Sequence, residues 1–195
     1  MYSQAPRQLN SRETAMSKTT PHPRTFSALA LAAFLSSSAA GAQAPDECPS
    51  PERIAAELVP GINAIRAEPR RCGTRQQPAA PQLVWNDILF QVAQRHSLDM
   101  ASRDYFSHTT PEGLTPGERA KSLDYGWTSQ AENIGLGAGT VRDVLNMWLT
   151  SPMHCQSMMK PGYRDVALAC AVGKEHLLWT LELGRQGEEP EAEEW

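Results

Sequence analysis

Three short polar stretches hold the side chains most able to do chemistry together: "YFSH" at 105–108, "AENI" at 131–134 and "SPMHCQSMM" at 151–159. They bring two imidazoles, His108 and His154, and one carboxylate, Glu132. Imidazole titrates near neutrality, and a neighbouring carboxylate moves its pKa upward, so such a trio can act as general acid and base. It can equally ligate a divalent metal such as zinc, for which two histidines and a carboxylate leave positions open to water. A third use is to fix a groove by mutual hydrogen bonds while apolar walls bind a lipid, peptide or glycan. Asn133 and Ser151, next to these stretches, are expected to support the loops around the trio.

Motifs that would narrow the chemistry are missing. There is no HExxH pair and no GxSxG elbow. Ser107 and Ser151 lie close to His108 and His154 in sequence, so a serine nucleophile stays open. The remaining candidates read as structural. His96 is expected on the inward side of its helix with a hydrogen-bond partner, and His176 at the exposed start of a strand. Met147, Met153, Met158 and Met159 are read as core filler and not as a soft copper site.

The elements that must position these residues are legible in the spacing. Ile54, Leu58, Ile62 and Ile65 fall near one helical face after Pro51, with Pro60 and Gly61 expected to kink or split that helix. Asn86 can cap a second helix on which Leu89, Val92, Ala93, His96 and Met100 share a side. Thr115, Pro116 and Glu118 have the spacing of a capping box, and Thr140 with Asp143 repeats the pattern ahead of Val141, Val144, Leu145 and Trp148. Between these helices, "DYGWTSQAENIGLGAGT" reads as a loop with at most a short strand. Pro152 opens another helical turn, and "RDVALACAV" with "HLLWTLELG" form a closing antiparallel hairpin. In that hairpin Val166, Leu168, Cys170 and Val172, then Leu177, Trp179, Leu181 and Leu183, alternate against the opposite face.

The 195-residue chain is 41% hydrophobic and 21% charged, the range of an ordinary globular protein. Residues 1–42 read as a secretory signal peptide: a basic lead with Lys18 and Arg24, the apolar "FSALALAAFLSSSAA", then small residues ending at Ala42. Met16 already opens a complete charged lead and can serve as the start. The apolar run is well short of the roughly 20 residues that cross a bilayer. Removal of residues 1–42 takes away Arg7, Arg12, Lys18 and Arg24 against Glu13, three net positive charges, moving the formal charge from −4 to −7. That disfavours nucleic acid as a partner. Residues 43–187 are expected to form one domain and the acidic 188–195 a disordered tail. Cys48, Cys72, Cys155 and Cys170 all follow the cleavage site, an even count that points to disulfides in an oxidising compartment. Local pairing, Cys48 with Cys72 and Cys155 with Cys170, requires the least rearrangement of the chain.

"HSLDMASRDYFSHTTPEGLTPGERAKSLDYGW", "AENIGLG", "VLNMWLTSPMHCQSMMKPGYRDVALACAVG" and "LLWTLELG" resemble, in order, the motifs of the bacterial CAP superfamily. These are the microbial relatives of cysteine-rich secretory proteins, antigen 5 and pathogenesis-related proteins. The resemblance covers about residues 52–185. It implies an α+β fold, a three-layer α-β-α sandwich with a small antiparallel sheet, and a central cleft lined by His108, Glu132 and His154. Ser151 stands where eukaryotic members carry a second glutamate, and the chain reads "AEN" where many relatives read "GEN". The expectation is a secreted or periplasmic monomer whose cleft binds a lipid, peptide or other cell-envelope ligand, or a divalent metal such as zinc. The rival is a secreted hydrolase using His108 or His154 with Glu132.

Overall fold

A computed structural model describes residues 47–187; the expected signal peptide and acidic tail lie outside that range. Ser50 caps the first helix, α1 (Pro51–Arg66), by accepting from the Arg53 N–H at 3.3 Å. The helix runs unbroken through Pro60, so the expected split does not occur. A two-stranded ribbon follows, β1 (Arg70–Cys72) with β2 (Arg75–Gln77), then the short β3 (Val84–Trp85). Asn86 caps α2 (Asp87–Arg103), accepting from the Ile88 and Leu89 N–H groups. Thr115 and Glu118 form the capping box of α3 (Pro116–Lys121). Next come β4 (Trp127–Leu136), α4 (Val141–Thr150) and α5 (Pro152–Met159). The hairpin β5 (Asp165–Val172) and β6 (Leu177–Gln186) closes the domain.

Four strands make one sheet in the order β3-β5-β6-β4. It is antiparallel except at the β3 edge, where Val84 and Trp85 run parallel to Asp165 and Val166. Helices cover both faces. Ile54, Leu58 and Ile62 of α1, Val144 and Trp148 of α4 and Met158 of α5 pack on Val166, Leu168, Trp179, Leu181 and Leu183. On the other face, Leu89 and Val92 of α2 and Ala120 of α3 pack with Tyr125 and Ala167. This is the three-layer α-β-α arrangement, and it changes the reading of the hairpin. The second face of β6 is not solvent-facing: Leu178, Thr180 and Glu182 are buried on the α2 side, as in any sheet covered on both faces.

Three further expectations are corrected. The segment around Glu132 is a ten-residue strand, not a loop; its hydrogen bonds to β6 from Trp127↔Gln186 to Leu136↔Leu178 hold it where its glycine and polar residues would not. Met153 is 75% exposed and fills no core. The disulfides are not local. Cys48 pairs with Cys170, and Cys72 with Cys155. The reason is layering: α1 lies against β5, so the residues ahead of α1 reach Cys170, and β1 lies against α5, which carries Cys155.

Arg66, buried at the end of α1, anchors the α5 layer. Its guanidinium donates to the carbonyls of Pro81 at 2.8 Å, Met158 at 2.5 Å and Lys160 at 3.1 Å. Burial, reinforced by the charge of Arg164, pushes its pKa down to about 10.

A histidine and carboxylate cluster between the sheet and two helices

Glu132 is the centre of the candidate site. It sits on the edge strand β4 with its side chain facing α2 and α3, and that side chain is only 1% exposed. His108 Nδ1 meets Glu132 Oε1 at 2.7 Å, and Arg119 Nη2 of α3 donates to Oε2. His96 Nε2 of α2 stands 3.8 Å from Oε2. Burial alone would raise the pKa of Glu132. The hydrogen bond from His108, the charges of Arg119 and His96 and a hydrogen bond from Glu182 outweigh it, holding the carboxylate below its usual range.

His108 is set by its backbone. Helix α2 ends at Asp104 in the left-handed conformation (φ 56°), which turns the chain back along the helix. The carbonyl of Ser107 then meets His96 Nε2 at 3.0 Å, and the carbonyl of His108 accepts from Arg119 Nη1 at 2.8 Å. The residues that surround Glu132 thus also fix the loop bearing its partner. With Nδ1 directed at the carboxylate, Nε2 is the ring nitrogen of the 49% exposed His108 side chain that Glu132 does not engage.

His154 arrives from the other helical layer, around the β4 edge. Ser151 ends α4 and begins α5, and its side chain makes no capping hydrogen bond. Asn133, the neighbour of Glu132, donates from Nδ2 to the His154 carbonyl at 3.2 Å. The half-buried His154 ring has its pKa lowered, first by burial and then by the charge of His108, so the two imidazoles are electrostatic neighbours. His96 is buried with the Ser107 carbonyl as partner, and His176 is exposed just ahead of β6.

Sequence reasoning missed two members of the cluster. Arg119 was hidden inside a short helix noticed only for its cap. Glu182 was not singled out, yet it is 0% exposed and lies directly across from Glu132 in the β4-β6 register. Burial, then the charge of Glu132 and a hydrogen bond to it, raise the Glu182 pKa well above its ordinary value. Its Oε2 accepts from Gln130 Nε2 at 2.7 Å. The signal available was the near-continuous apolar run "LLWTLELG", the mark of a strand covered on both sides.

Both Glu132 oxygens are committed, one to His108 and one to Arg119. Among the described residues no group of three or more histidine, cysteine, aspartate or glutamate side chains is disposed to hold a metal ion. What the cluster offers is a histidine oriented by a buried carboxylate, with a second, neutral imidazole nearby.

Comparison with known proteins agrees with this architecture. The structure resembles an outer surface protein from Borrelia burgdorferi (TM-score 0.61, 17% identity, covering 73% of this chain and 100% of that one). It also resembles an extracellular protein containing an SCP domain from Bacillus anthracis (TM-score 0.57, 23% identity, 72% of this chain and 45% of that one). In sequence, 94 residues are 27% identical to the uncharacterized protein YkwD of Bacillus subtilis, over 48% of this chain and 37% of that protein, so the match spans well under half of that relative. The profile of the CAP, or cysteine-rich secretory protein, family matches residues 61–183. With that match across most of the sandwich and the cluster, the chain belongs to the CAP family.

Proposed function

We propose that this protein is exported and binds a ligand in the cleft between His108 and His154, with Glu132 as the buried group that orients His108. The observation that carries the reading is the 2.7 Å contact of His108 Nδ1 with a carboxylate 1% exposed and itself held by Arg119. A carboxylate only accepts, so Nδ1 carries the hydrogen and the exposed Nε2 offers a lone pair. His154, neutral because burial opposes its charging, adds a second uncharged polar group. Two such groups in a half-exposed groove suit the O–H and N–H donors of a glycan or peptide. Export is supported by the two disulfides and the signal-like leader. Among the described residues no helix is long and apolar enough to cross a membrane.

The test is binding of peptidoglycan fragments, chitooligosaccharides and phospholipid vesicles to the wild type and to a His108→Ala, His154→Ala double variant, with elemental analysis of both. Binding of one of the first two probes, lost in a folded double variant, is the expected result. Unchanged binding of every probe and unchanged metal content in the double variant would end the reading.

The same dyad favours one alternative, a hydrolase in which His108 Nε2 takes a proton from water or from a serine. Turnover abolished by Glu132→Gln in a folded protein is its signature. A pH-independent blank across peptide and envelope substrates removes it.

A further inference from the structure

The strand that carries Glu132 leads away from the cleft into a second hollow. Side chains alternate along β4, so Glu132, Ile134 and Leu136 share the face toward α2. Packing agrees: Ile134 clusters with Met100 of α2 and Leu178 of β6, whereas a Cβ at Gly135 would meet Val144 and Met147 on the opposite side. Beyond Ile134, Leu136 lines a hollow of about 360 Å³ together with Met100, Tyr105, Phe106 and Leu178. Phe106 and Leu136 are 47% and 42% exposed, while Met100 and Leu178 are buried. Lys174 and Asp104 line the same hollow and pair at 2.5 Å, tying the β5-β6 turn to the end of α2.

Two walls join this hollow to the cleft. Along the strand, Leu136 lies four residues past Glu132, about 13 Å at the rise of an extended chain. Along the loop, Phe106 stands two residues before His108, whose ring meets Glu132 at 2.7 Å. A ligand held at His108 therefore has an apolar recess within reach, and the walls select what enters it. Sugar hydroxyls set against Met100, Leu136 and Leu178 would leave water without regaining their hydrogen bonds. A long acyl chain would run against the charges of Lys174, Asp104 and Glu175, which share the same walls. An aromatic or branched side chain is small enough to avoid them, and Tyr105 and Phe106 offer it ring partners.

We propose, resting on the reading of the cleft as a ligand site, that this hollow is its specificity subsite, taking an aromatic or branched apolar residue of an extended peptide. The peptide's polar residue donates to His108 Nε2, and the apolar residue, four positions away, packs on Phe106 and Leu136 and takes both out of water. A peptide without an apolar residue at that separation is held by the cleft alone. Because Lys174 stands against Asp104 and Glu175 in the hollow, the net charge of the peptide contributes little.

The probes are the pentapeptides Phe-Gly-Gly-Gly-Ser and Ser-Gly-Gly-Gly-Phe, blocked at both ends, which set ring and hydroxyl at that separation in either chain direction, and the counterparts with alanine for phenylalanine. Each is titrated into the disulfide-bonded protein and followed by backbone and histidine NMR. At least one phenylalanine peptide is expected to shift the amides of Phe106, Leu136 and Leu178 together with the His108 ring. It should bind about tenfold more tightly than its alanine counterpart, as burial of roughly half a phenyl ring implies. The alanine peptides should move the His108 ring alone. Leu136→Gln, at a half-exposed residue that can change without opening the core, should bring the tenfold preference close to unity, and Phe106→Gln should do the same. Equal affinity for phenylalanine and alanine peptides, a His108 shift with none at Leu136 or Leu178, or an undiminished preference in either folded variant would overturn the subsite and leave the cleft reading standing. Shifts at the hollow with the His108 ring unmoved would instead overturn the cleft reading and the joining of the two sites. No shift from any of the four peptides at millimolar concentration would overturn the assignment of a peptide.

Discussion

Replacing Glu182 by glutamine should make the protein's stability less sensitive to pH, and the size of the effect follows from one proton. In the fold, Glu182 lies across two strands from Glu132, and burial, then the charge of that neighbour, raise its pKa well above that of a glutamate in the unfolded chain. A folded pKa raised above the ordinary 4.5 gives a contribution that is complete below that value and lost as pH rises toward the folded one. Within that window one proton makes the wild type lose at most about 1.4 kcal/mol per pH unit. The glutamine side chain keeps the interactions: its carbonyl can accept from Gln130 and its amide can donate to Glu132, with no proton to surrender. Urea unfolding of both proteins at pH 5, 6 and 7 measures the two slopes. Glu182→Gln should match the wild type within about 1 kcal/mol near pH 5 and exceed it progressively above, the gap widening by at most about 1.4 kcal/mol per unit. Glu132→Gln provides the contrast, since it leaves buried Arg119 without its carboxylate and should cost about 3–5 kcal/mol at pH 7. Parallel stability curves for the wild type and Glu182→Gln would refute the raised Glu182 pKa, whatever the absolute values.

Other consequences can be checked independently. Peptide mapping without reduction should recover Cys48 joined to Cys170 and Cys72 to Cys155, and replacing either pair by serine should cost about 4–5 kcal/mol, given loops spanning 122 and 83 residues. A Cys48 to Cys72 peptide would contradict the layering. By NMR, His154 should titrate below its ordinary value of 6.5, and His108→Ala should raise that midpoint by removing a neighbouring charge. The depressed value means that charging of His154 opposes folding, so its share of stability is lost as pH falls through 6.5; an unshifted midpoint would place the two rings apart. Gly135→Ala should destabilise by about 1–3 kcal/mol, because a Cβ on β4 would meet Met147 Cε at 2.7 Å and Val144 Cγ2 at 2.8 Å.

What could be read ahead of the structure was whatever the local chain determines by itself. Asn86, Thr115 with Glu118, and Thr140 cap helices through hydrogen bonds to residues two or three positions away, and each does so in the fold. The β5-β6 hairpin is likewise local, and its alternation was visible. What could not be read depended on a distant partner. Strand β4 is extended because β6 accepts its hydrogen bonds, and "WTSQAENIGL" has too few β-branched residues to announce that alone. The cysteine pairings failed for the same reason: short loops cost less entropy, but the layers bring together segments far apart in sequence.

The site divides along the same line. Its residue types were visible as His108, Glu132 and His154, but the forces that decide their behaviour come from Arg119, His96 and Glu182, which look like ordinary helix and strand residues. A carboxylate in a sandwich covered on both sides must be compensated from several directions, and here each direction is a different element: α3 supplies Arg119, α2 supplies His96, β6 supplies Glu182, and the α2-α3 loop supplies His108. Because three of those four contacts are buried, most of the cluster is fixed before any ligand arrives. The 49% exposed His108 side chain is the point at which that fixed charge distribution reaches solvent. A change anywhere in the buried set should therefore be felt at His108, so Glu182→Gln, far from any ligand, is expected to shift the His108 ring resonances by NMR. If those resonances did not move while the stability profile changed as described above, the buried pair would be holding the sheet together without setting the chemistry of the cleft.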